Sequence, residues 1–359
     1  MQSTTGLSFS LKQERTFMPE EKKPNRARRI RIAFRIISLL PLPLMHALAS
    51  VAGQVMSFFP NSLRRVSLVN IALCYPDLSR GKQRKMMRKS LRETCKTLAE
   101  FGALRYWKKS RIDKLVVEVY DEDVIENAVA ENKGVLVAAP HFGSWELAGV
   151  QVCKRFPMTV LFRPSRIEDL NPFLINVRKR NGIKTEPIDA SGIKKIVMAL
   201  AKGEAVGMLP DQEPKRGNGT FAKLFKQPAY TPLILSKIGA RKQVPVVFVA
   251  MERLSFGRGF AMHYLRADNS KIYAANPEVA AREINRCVER CISIAPEQYM
   301  WNYKRFRTLP DGSLRNYKKA ARESVKERWE LFGVPVVDRV KSKVSRKKRR
   351  YRRRSENNI

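Results

Sequence analysis

Acidic residues are scarce in this chain. It carries 33 Asp and Glu against 70 Lys and Arg, a formal net charge of +37 over 359 residues. A surface so basic calls for anionic partners: nucleic acid, acidic lipid headgroups or an acidic protein. Histidine is scarcer still, with three residues that do not cluster. The five cysteines, Cys74, Cys95, Cys153, Cys287 and Cys291, form no CxxC pair and show no zinc spacing. No metal site is therefore implied. Cys287 and Cys291 stand one helical turn apart, a spacing that suits core packing, and an odd, scattered set fits a reducing compartment. There is no internal repeat. No recognisable RNA or DNA motif appears, although the charge alone would suit a basic nucleic-acid-binding protein without enzymatic activity.

One stretch lacks charge altogether. Residues 36–63 hold no Lys, Arg, Asp or Glu. That is long enough to cross a bilayer, which takes about 20 apolar residues. Pro41, Pro43, His46, Gly53 and Gln54 interrupt it, so it reads either as a broken transmembrane helix or as a helix lying in the interface. Arg28, Arg29, Arg31 and Arg35 lead into it and place its N-terminal side in the cytoplasm if it spans. A cleaved signal peptide fits poorly, because a long polar stretch precedes it and no clear small-residue cleavage site follows.

The expected organisation has four parts. Residues 1–28 form a disordered polar tail. Residues 29–63 form a membrane-attachment helix. Residues 64–315 form a catalytic domain. Residues 316–359 form a basic helical or disordered tail, nearly all Lys and Arg from 341 to 354. Such a run repels itself unless bound, and each basic residue near an anionic bilayer is worth roughly 1 kcal/mol.

Within 64–315 the pattern alternates. Residues 62–73 and 83–107 read as helices. Strands are expected from 116, then at 134–139, 158–162, 205–209 and 244–251. Helices are expected at 123–131, 144–155, 171–180, 191–202, 231–240 and 277–294. This predicts an α/β fold with a mainly parallel central sheet flanked by helices. Gly257-Arg258-Gly259 reads as a turn joining two late strands, an antiparallel pair at one edge.

The chemistry centres on Pro140-His141-Phe142-Gly143-Ser144-Trp145-Glu146. His141 falls where a buried strand ends and a helix begins, the place where open α/β sheets bind ligands. Glu146 follows five residues later. If the turn at Gly143-Ser144 folds back, its carboxylate accepts a hydrogen bond from the imidazole. The free ring nitrogen then takes a proton from a hydroxyl, which suits attack by an alcohol on an acyl carbon. Backbone N–H groups near Gly143 would hold the oxyanion. Further strand ends and loops carry Phe162-Arg163-Pro164, Arg178-Lys179-Arg180 and Asp211-Gln212-Glu213-Pro214. In a parallel sheet the ends at His141, Arg163 and Asp211 face one crevice. Convergent arginines beside a base suit an acceptor that carries phosphates.

Six stretches together resemble a known family. They are residues 70–78 (Asn-Ile-Ala-Leu-Cys-Tyr-Pro-Asp-Leu), 141–146, Phe162-Arg163-Pro164, 178–180, 211–214 and 296–301 (Pro-Glu-Gln-Tyr-Met-Trp). His141 and Glu146 match the HX4(D/E) signature of glycerolipid acyltransferases. The set in order resembles the late acyltransferases of lipid A biosynthesis, the lauroyl/myristoyl transferase group. That resemblance implies an inner-membrane enzyme with its active site on the cytoplasmic side. It implies transfer of a fatty acyl chain from acyl carrier protein to a hydroxyl of an anionic lipid A precursor, or of another bacterial lipid acceptor. It implies no permanent cofactor and no specific nucleic acid, with inner-membrane lipids as further partners. By resemblance His141 and Glu146 are catalytic, while Arg163, Arg178, Arg180 and Asp211 bind substrate. Ser144 stands where the family often has Asn, and residues 1–28 and 316–359 have no recognised counterpart.

Overall fold

The structure is a computed structural model that describes residues 24–162 and 171–321. Arg163 and the basic run at 341–354 lie outside the described residues. In chain order the elements are α1 (Pro24–Ile37), α2 (Leu42–Phe58), α3 (Ser62–Cys74), α4 (Arg80–Tyr106), α5 (Lys109–Asp113), β1 (Val116–Tyr120), α6 (Asp123–Ala130), β2 (Val135–Ala138), α7 (Trp145–Arg155) and β3 (Met158–Phe162). There follow α8 (Asn171–Arg180), β4 (Lys184–Pro187), α9 (Ala190–Ala201), β5 (Ala205–Met208), β6 (Gly219–Leu224), β7 (Gln227–Pro232), α10 (Ile234–Lys242), β8 (Val246–Arg253), β9 (Phe260–Arg266), α11 (Asn269–Ile272) and α12 (Pro277–Ile294).

Seven strands form one sheet in the order β1-β9-β8-β2-β5-β3-β4, and β6 pairs with β7 in a separate hairpin. Every pairing in the large sheet is parallel except β8 with β9. The mainly parallel α/β sheet is thus as expected, with one difference. The antiparallel pair is not at the edge, because β1 adds beside β9 in parallel. β4 and the β6–β7 hairpin were not anticipated. Lys184–Pro187 is short and mostly polar, and the hairpin reads as a glycine-rich loop until α12 covers it.

The sheet has helices on both faces, so its central strands are buried on both. Leu136 and Ala138 of β2 enter one core, while Val135 and Val137 enter the other. β8 divides likewise, Val246, Phe248 and Ala250 against Val247, Val249 and Met251. Such strands read as continuous apolar runs, which is why both were visible in sequence. The chain leaves β2 towards β3 on one side, while β8 leads to β9 on the other. The crevice beyond β2 is therefore where the connections diverge.

The stretch 29–63 is not one helix. α1 ends at Ile37, α2 starts at Leu42 behind Pro41, and the chain turns again at Phe59-Pro60-Asn61 into α3. Proline lacks the N–H and clashes with the preceding turn, so the chain breaks there. Among the described residues no single helix is long and apolar enough to cross a membrane; α2 and α3 together reach that length as a pair bent by 84°. α2 lays Leu42, Met45, His46, Ala49 and Gly53 against α4. A Cβ on Gly53 would come within 2.5 Å of Arg92 Cα, so glycine allows the close crossing. The expected tail boundaries also move. Helix α1 begins at Pro24, inside the stretch expected to be disordered. Tyr317, expected in the C-terminal tail, is buried against Val66 and Val69 and donates to Asn70 Oδ1 at 2.9 Å.

A buried ionic cluster fixes α2 to the sheet. His46 Nε2 lies 2.8 Å from Glu100 Oε1. Arg253 donates to both Glu100 oxygens at 2.5 and 2.8 Å, to Glu93 at 2.8 Å and to Thr97 at 2.9 Å. Burial pushes the Glu100 carboxyl up, but the Arg253 charge and the hydrogen bonds from Arg253 and His46 outweigh it and hold it at about 2.

Candidate active site

β2 and β5 are paired in register, with Ala138 opposite Met208. His141 and Asp211 each lie three residues beyond that pair. The two loops therefore meet over the same end of the sheet. Asp211, 2 % exposed, engages His141 twice. Its Oδ1 lies 2.7 Å from Nδ1, and its Oδ2 accepts the His141 peptide N–H at 2.9 Å. With Nδ1–H donated to the carboxylate, Nε2 carries the lone pair. Burial raises the Asp211 carboxyl, but the charge of His141, its hydrogen bonds and the charge of Arg305 bring it below the ordinary value. Tyr299 is pushed well above its ordinary value by burial and by the neighbouring Asp211.

The imidazole is boxed on its other sides. Trp145 lies tilted beside it at 5.0 Å between ring centres. The Gln212 side-chain nitrogen lies 3.0 Å from Nε2. Met300 N–H donates to the His141 carbonyl at 2.9 Å, and Phe142 bridges to Tyr299. Asn70 donates to the carbonyls of Trp301 and Tyr303, and Glu213 holds Thr308 through both oxygens. Four of the six sequence stretches, around Asn70, His141, Asp211 and Tyr299, thus converge.

Glu146 is not the partner of the imidazole. It sits in the first turn of α7 and binds Arg178 in bidentate fashion, Nε to Oε2 at 3.0 Å and Nη2 to Oε1 at 2.5 Å. Both side chains are largely buried. Burial lowers the Arg178 guanidinium, and Glu146 more than offsets it. The reason lies in the turn. Gly143, at φ +53°, is locked on strand β8, where a Cβ would come within 1.8 Å of Met251 O. The chain therefore enters α7 with Glu146 towards α8, and the adjacent strand supplies the carboxylate for His141 instead. The same turn uses its own donors. Gly143 N–H goes to Gln298 O at 3.1 Å and Ser144 N–H to Met251 O at 3.0 Å, so neither is left for an oxyanion.

Arg180 also departs from expectation. It donates to the carbonyls of Arg105 and Trp107, closing the C-terminal end of α4. Asp211 contacts His141 and Arg178 contacts Glu146, whereas Arg180 braces the helix behind them. Sequence reading missed Gln212 as a neighbour of Nε2 and the role of Asp211 towards Nδ1. The signal was an acid three residues past the end of an apolar strand beside that of His141. A small cavity of about 50 Å³ adjoins the site, lined by Trp145, Glu146, Arg178, Val137, Met158 and Leu209 among others.

Residues 18–308 match the profile of a family described as bacterial lipid A biosynthesis acyltransferase. The chain belongs to that family. It is 29% identical over 283 residues to the lipid A biosynthesis lauroyltransferase of Escherichia coli (strain K12), covering 77% of this chain and 90% of that one. It is 30% identical over 277 residues to the lipid A biosynthesis palmitoleoyltransferase of the same organism, covering 76% and 88%. It is 23% identical over 284 residues to the lipid A biosynthesis myristoyltransferase there, covering 77% and 84%. This lipid A acyltransferase family member is therefore an acyltransferase enzyme, and the non-enzymatic reading of its charge falls away.

Proposed function

We propose that the enzyme moves a fatty acyl chain from the thioester of acyl carrier protein to a hydroxyl of a lipid A precursor, at the cytoplasmic face of the inner membrane. The observation that carries this reading is the double hold of Asp211 on His141 beyond two paired parallel strands. It fixes the tautomer with the lone pair on Nε2. The acceptor hydroxyl displaces the Gln212 amide and gives its proton to Nε2. Its oxygen attacks the thioester carbon, the C–S bond breaks, and the departing thiolate takes the proton back from the imidazolium. Atoms balance as a new ester and a free carrier thiol. Asp211 stabilises the imidazolium between the two transfers. Gln212, displaced from Nε2 by the hydroxyl, then has an amide donor free for the developing oxyanion. Arg178, held rigid by Glu146, supplies a fixed cation beside the reacting centre.

Attachment to the membrane is supported by an apolar surface. Ile32, Ile36, Leu44, Leu48, Val51, Val55 and Phe58 are exposed along α1 and α2, and Leu39 and Phe59 in the turns that follow them. Phe256, 92 % exposed, tops the β8–β9 turn, which abuts α2 at Pro43 through Gly257. Exposed Arg28, Arg29, Arg31 and Arg35 lie along α1. An apolar face with cations beside it suits an interfacial helix pair on an anionic bilayer. The positive charge also suits an acidic carrier protein.

The test is reconstitution of the purified full chain with lauroyl-loaded acyl carrier protein and a tetra-acylated lipid A precursor, read by product mass. One added acyl chain, lost in His141→Ala protein of unchanged thermal midpoint, is expected. Transfer by the folded His141→Ala protein at the wild-type rate ends the mechanism.

A further inference from the structure

The β8–β9 turn carries the most exposed large apolar side chain among the described residues. Phe256 is 92 % exposed there. Its backbone sits in the left-handed region, at φ +58° and ψ +22°, which is unfavourable for a residue with a bulky side chain. Phe225 adopts a similar φ, +51°, but its ring packs against Tyr75 and Trp301. Phe256, so exposed, has no such packing to offset the strain. The chain keeps an aromatic ring in water where glycine would sit without strain.

The turn is held rigid. Leu254 N–H donates to Gly259 O at 3.0 Å, which closes its base. Arg253, at the end of β8, is locked in the buried cluster with Glu93 and Glu100, and its backbone exchanges hydrogen bonds with the Gln298 side chain at 2.7 and 2.8 Å. Gly257, at φ +70°, lies on the start of α2; a Cβ there would come within 2.5 Å of Pro43 Cα. Leu44, next in the chain, and Leu48 are exposed. The tip is thus continuous with the apolar outer side of α2, and Arg258 is exposed two residues from the ring. An aromatic ring with a cation and aliphatic side chains beside it suits the boundary between lipid headgroups and acyl chains. A preformed tip loses little conformational freedom on entering it.

β8 runs parallel to β2, with Phe248 opposite Ala138. His141 lies three residues beyond Ala138, and β8 continues in the same direction to Arg253 and the turn. Gly143 and Ser144 are bridged to Met251 on the way. The tip and the imidazole therefore stand at the same end of the sheet.

We propose that the β8–β9 turn inserts Phe256 into the bilayer and so turns the His141 end of the sheet towards the membrane. The partner is the lipid surface itself. This role rests on attachment of the enzyme through α1 and α2, and it adds a second point of contact that fixes the tilt of the sheet over the bilayer.

The test is quenching of added indoles by vesicles of equal parts phosphatidylglycerol and phosphatidylcholine, the latter brominated at mid-chain. The full chain is used, and each variant is read as its difference from wild type. The indole introduced by Phe256→Trp should be quenched. The indole introduced by Lys202→Trp, exposed in the turn that leads into β5 at the opposite end of the sheet, should not. Equal quenching of both would remove the orientation and overturn the proposal. In sedimentation with unbrominated vesicles, Phe256→Gly should weaken partitioning about tenfold or more. Its thermal midpoint should not fall, since glycine suits the left-handed backbone. Phe256→Leu should bind more tightly than Phe256→Gly. If the glycine variant fails to fold, Phe256→Asn, which also tolerates that region, carries the same measurement. Vesicle binding by the wild type, with the indole of Phe256→Trp unquenched and Phe256→Gly unimpaired, would overturn the insertion and leave α1 and α2 as the attachment. A wild type that does not bind vesicles would overturn both. An indole at the tip already shielded before vesicles are added would assign the tip to a second copy or to another part of this chain, and would overturn the bilayer as its partner.

Discussion

Asp211 grips His141 through both of its oxygens, one on the ring and one on the peptide N–H. A carboxylate bound at two points fixes both the position of the ring and its tautomer. Asp211→Asn keeps the shape but presents an amide where an acceptor is needed, so the ring turns its proton towards the substrate side. Acyl transfer should fall about 10²–10⁴-fold with the fold retained. Circular dichroism and turnover measured on one preparation check this. A folded Asp211→Asn enzyme within threefold (roughly) of wild type would place the carboxylate outside the mechanism.

Gln212 is the neighbour of Nε2 at 3.0 Å. If it helps the oxyanion, Gln212→Ala should lower kcat about 10²–10³-fold, while KM changes little. A rise in kcat would show instead that the amide only obstructs the base.

The Glu146–Arg178 pair is buried, so removing one partner strands the other. Glu146→Ala should cost about 3–5 kcal/mol of stability, and Glu146→Gln less. Replacing both, as Glu146→Gln with Arg178→Met, should restore much of the stability but not the activity. Recovery of transfer in the double variant would make the pair purely structural. Chemical denaturation alongside the transfer assay separates the two.

The Glu100 cluster predicts acid behaviour. The folded carboxyl is held at about 2, below its unfolded value near 4.3. A depressed folded value stabilises above the unfolded value, and that stability is lost as pH falls through the folded one. Stability should therefore decline between about pH 5 and 2. Glu100→Gln should flatten that decline and destabilise the neutral protein by about 3–5 kcal/mol, since it leaves Arg253 buried with less charge to face. Denaturation midpoints across this range check the sign; a steeper acid decline in the variant would contradict it.

Leu48 and Val51 are exposed on α2, opposite the face that meets α4. Leu48→Glu with Val51→Glu should leave the fold intact and move the protein from membranes into the soluble fraction. Val279→Glu, another exposed apolar position on α12, should not. Membrane pelleting of the double variant after a salt wash would exclude this face as the attachment surface.

Some of this was determined by the sequence alone. Continuous apolar runs such as 135–138 mark strands buried on both faces, because only such strands lack a polar alternation. The alternation of these runs with helical stretches determined a mainly parallel α/β sheet. The position of His141 at a strand end, and the motif order that marks the family, were equally local. The break at Pro41 follows from proline itself. What the sequence did not determine was which residues meet. A spacing of five residues suggests that Glu146 serves His141, yet the choice depends on how the turn at Gly143 is held. Strand β8 holds it, from over a hundred residues away in the chain. The partner of His141 then follows from strand register: β5 lies beside β2 with Met208 opposite Ala138, and that pairing carries Asp211 to the imidazole. Register and strand order are long-range choices, made by the packing of the two cores. They decided that one carboxylate meets the imidazole of His141 and the other holds an arginine.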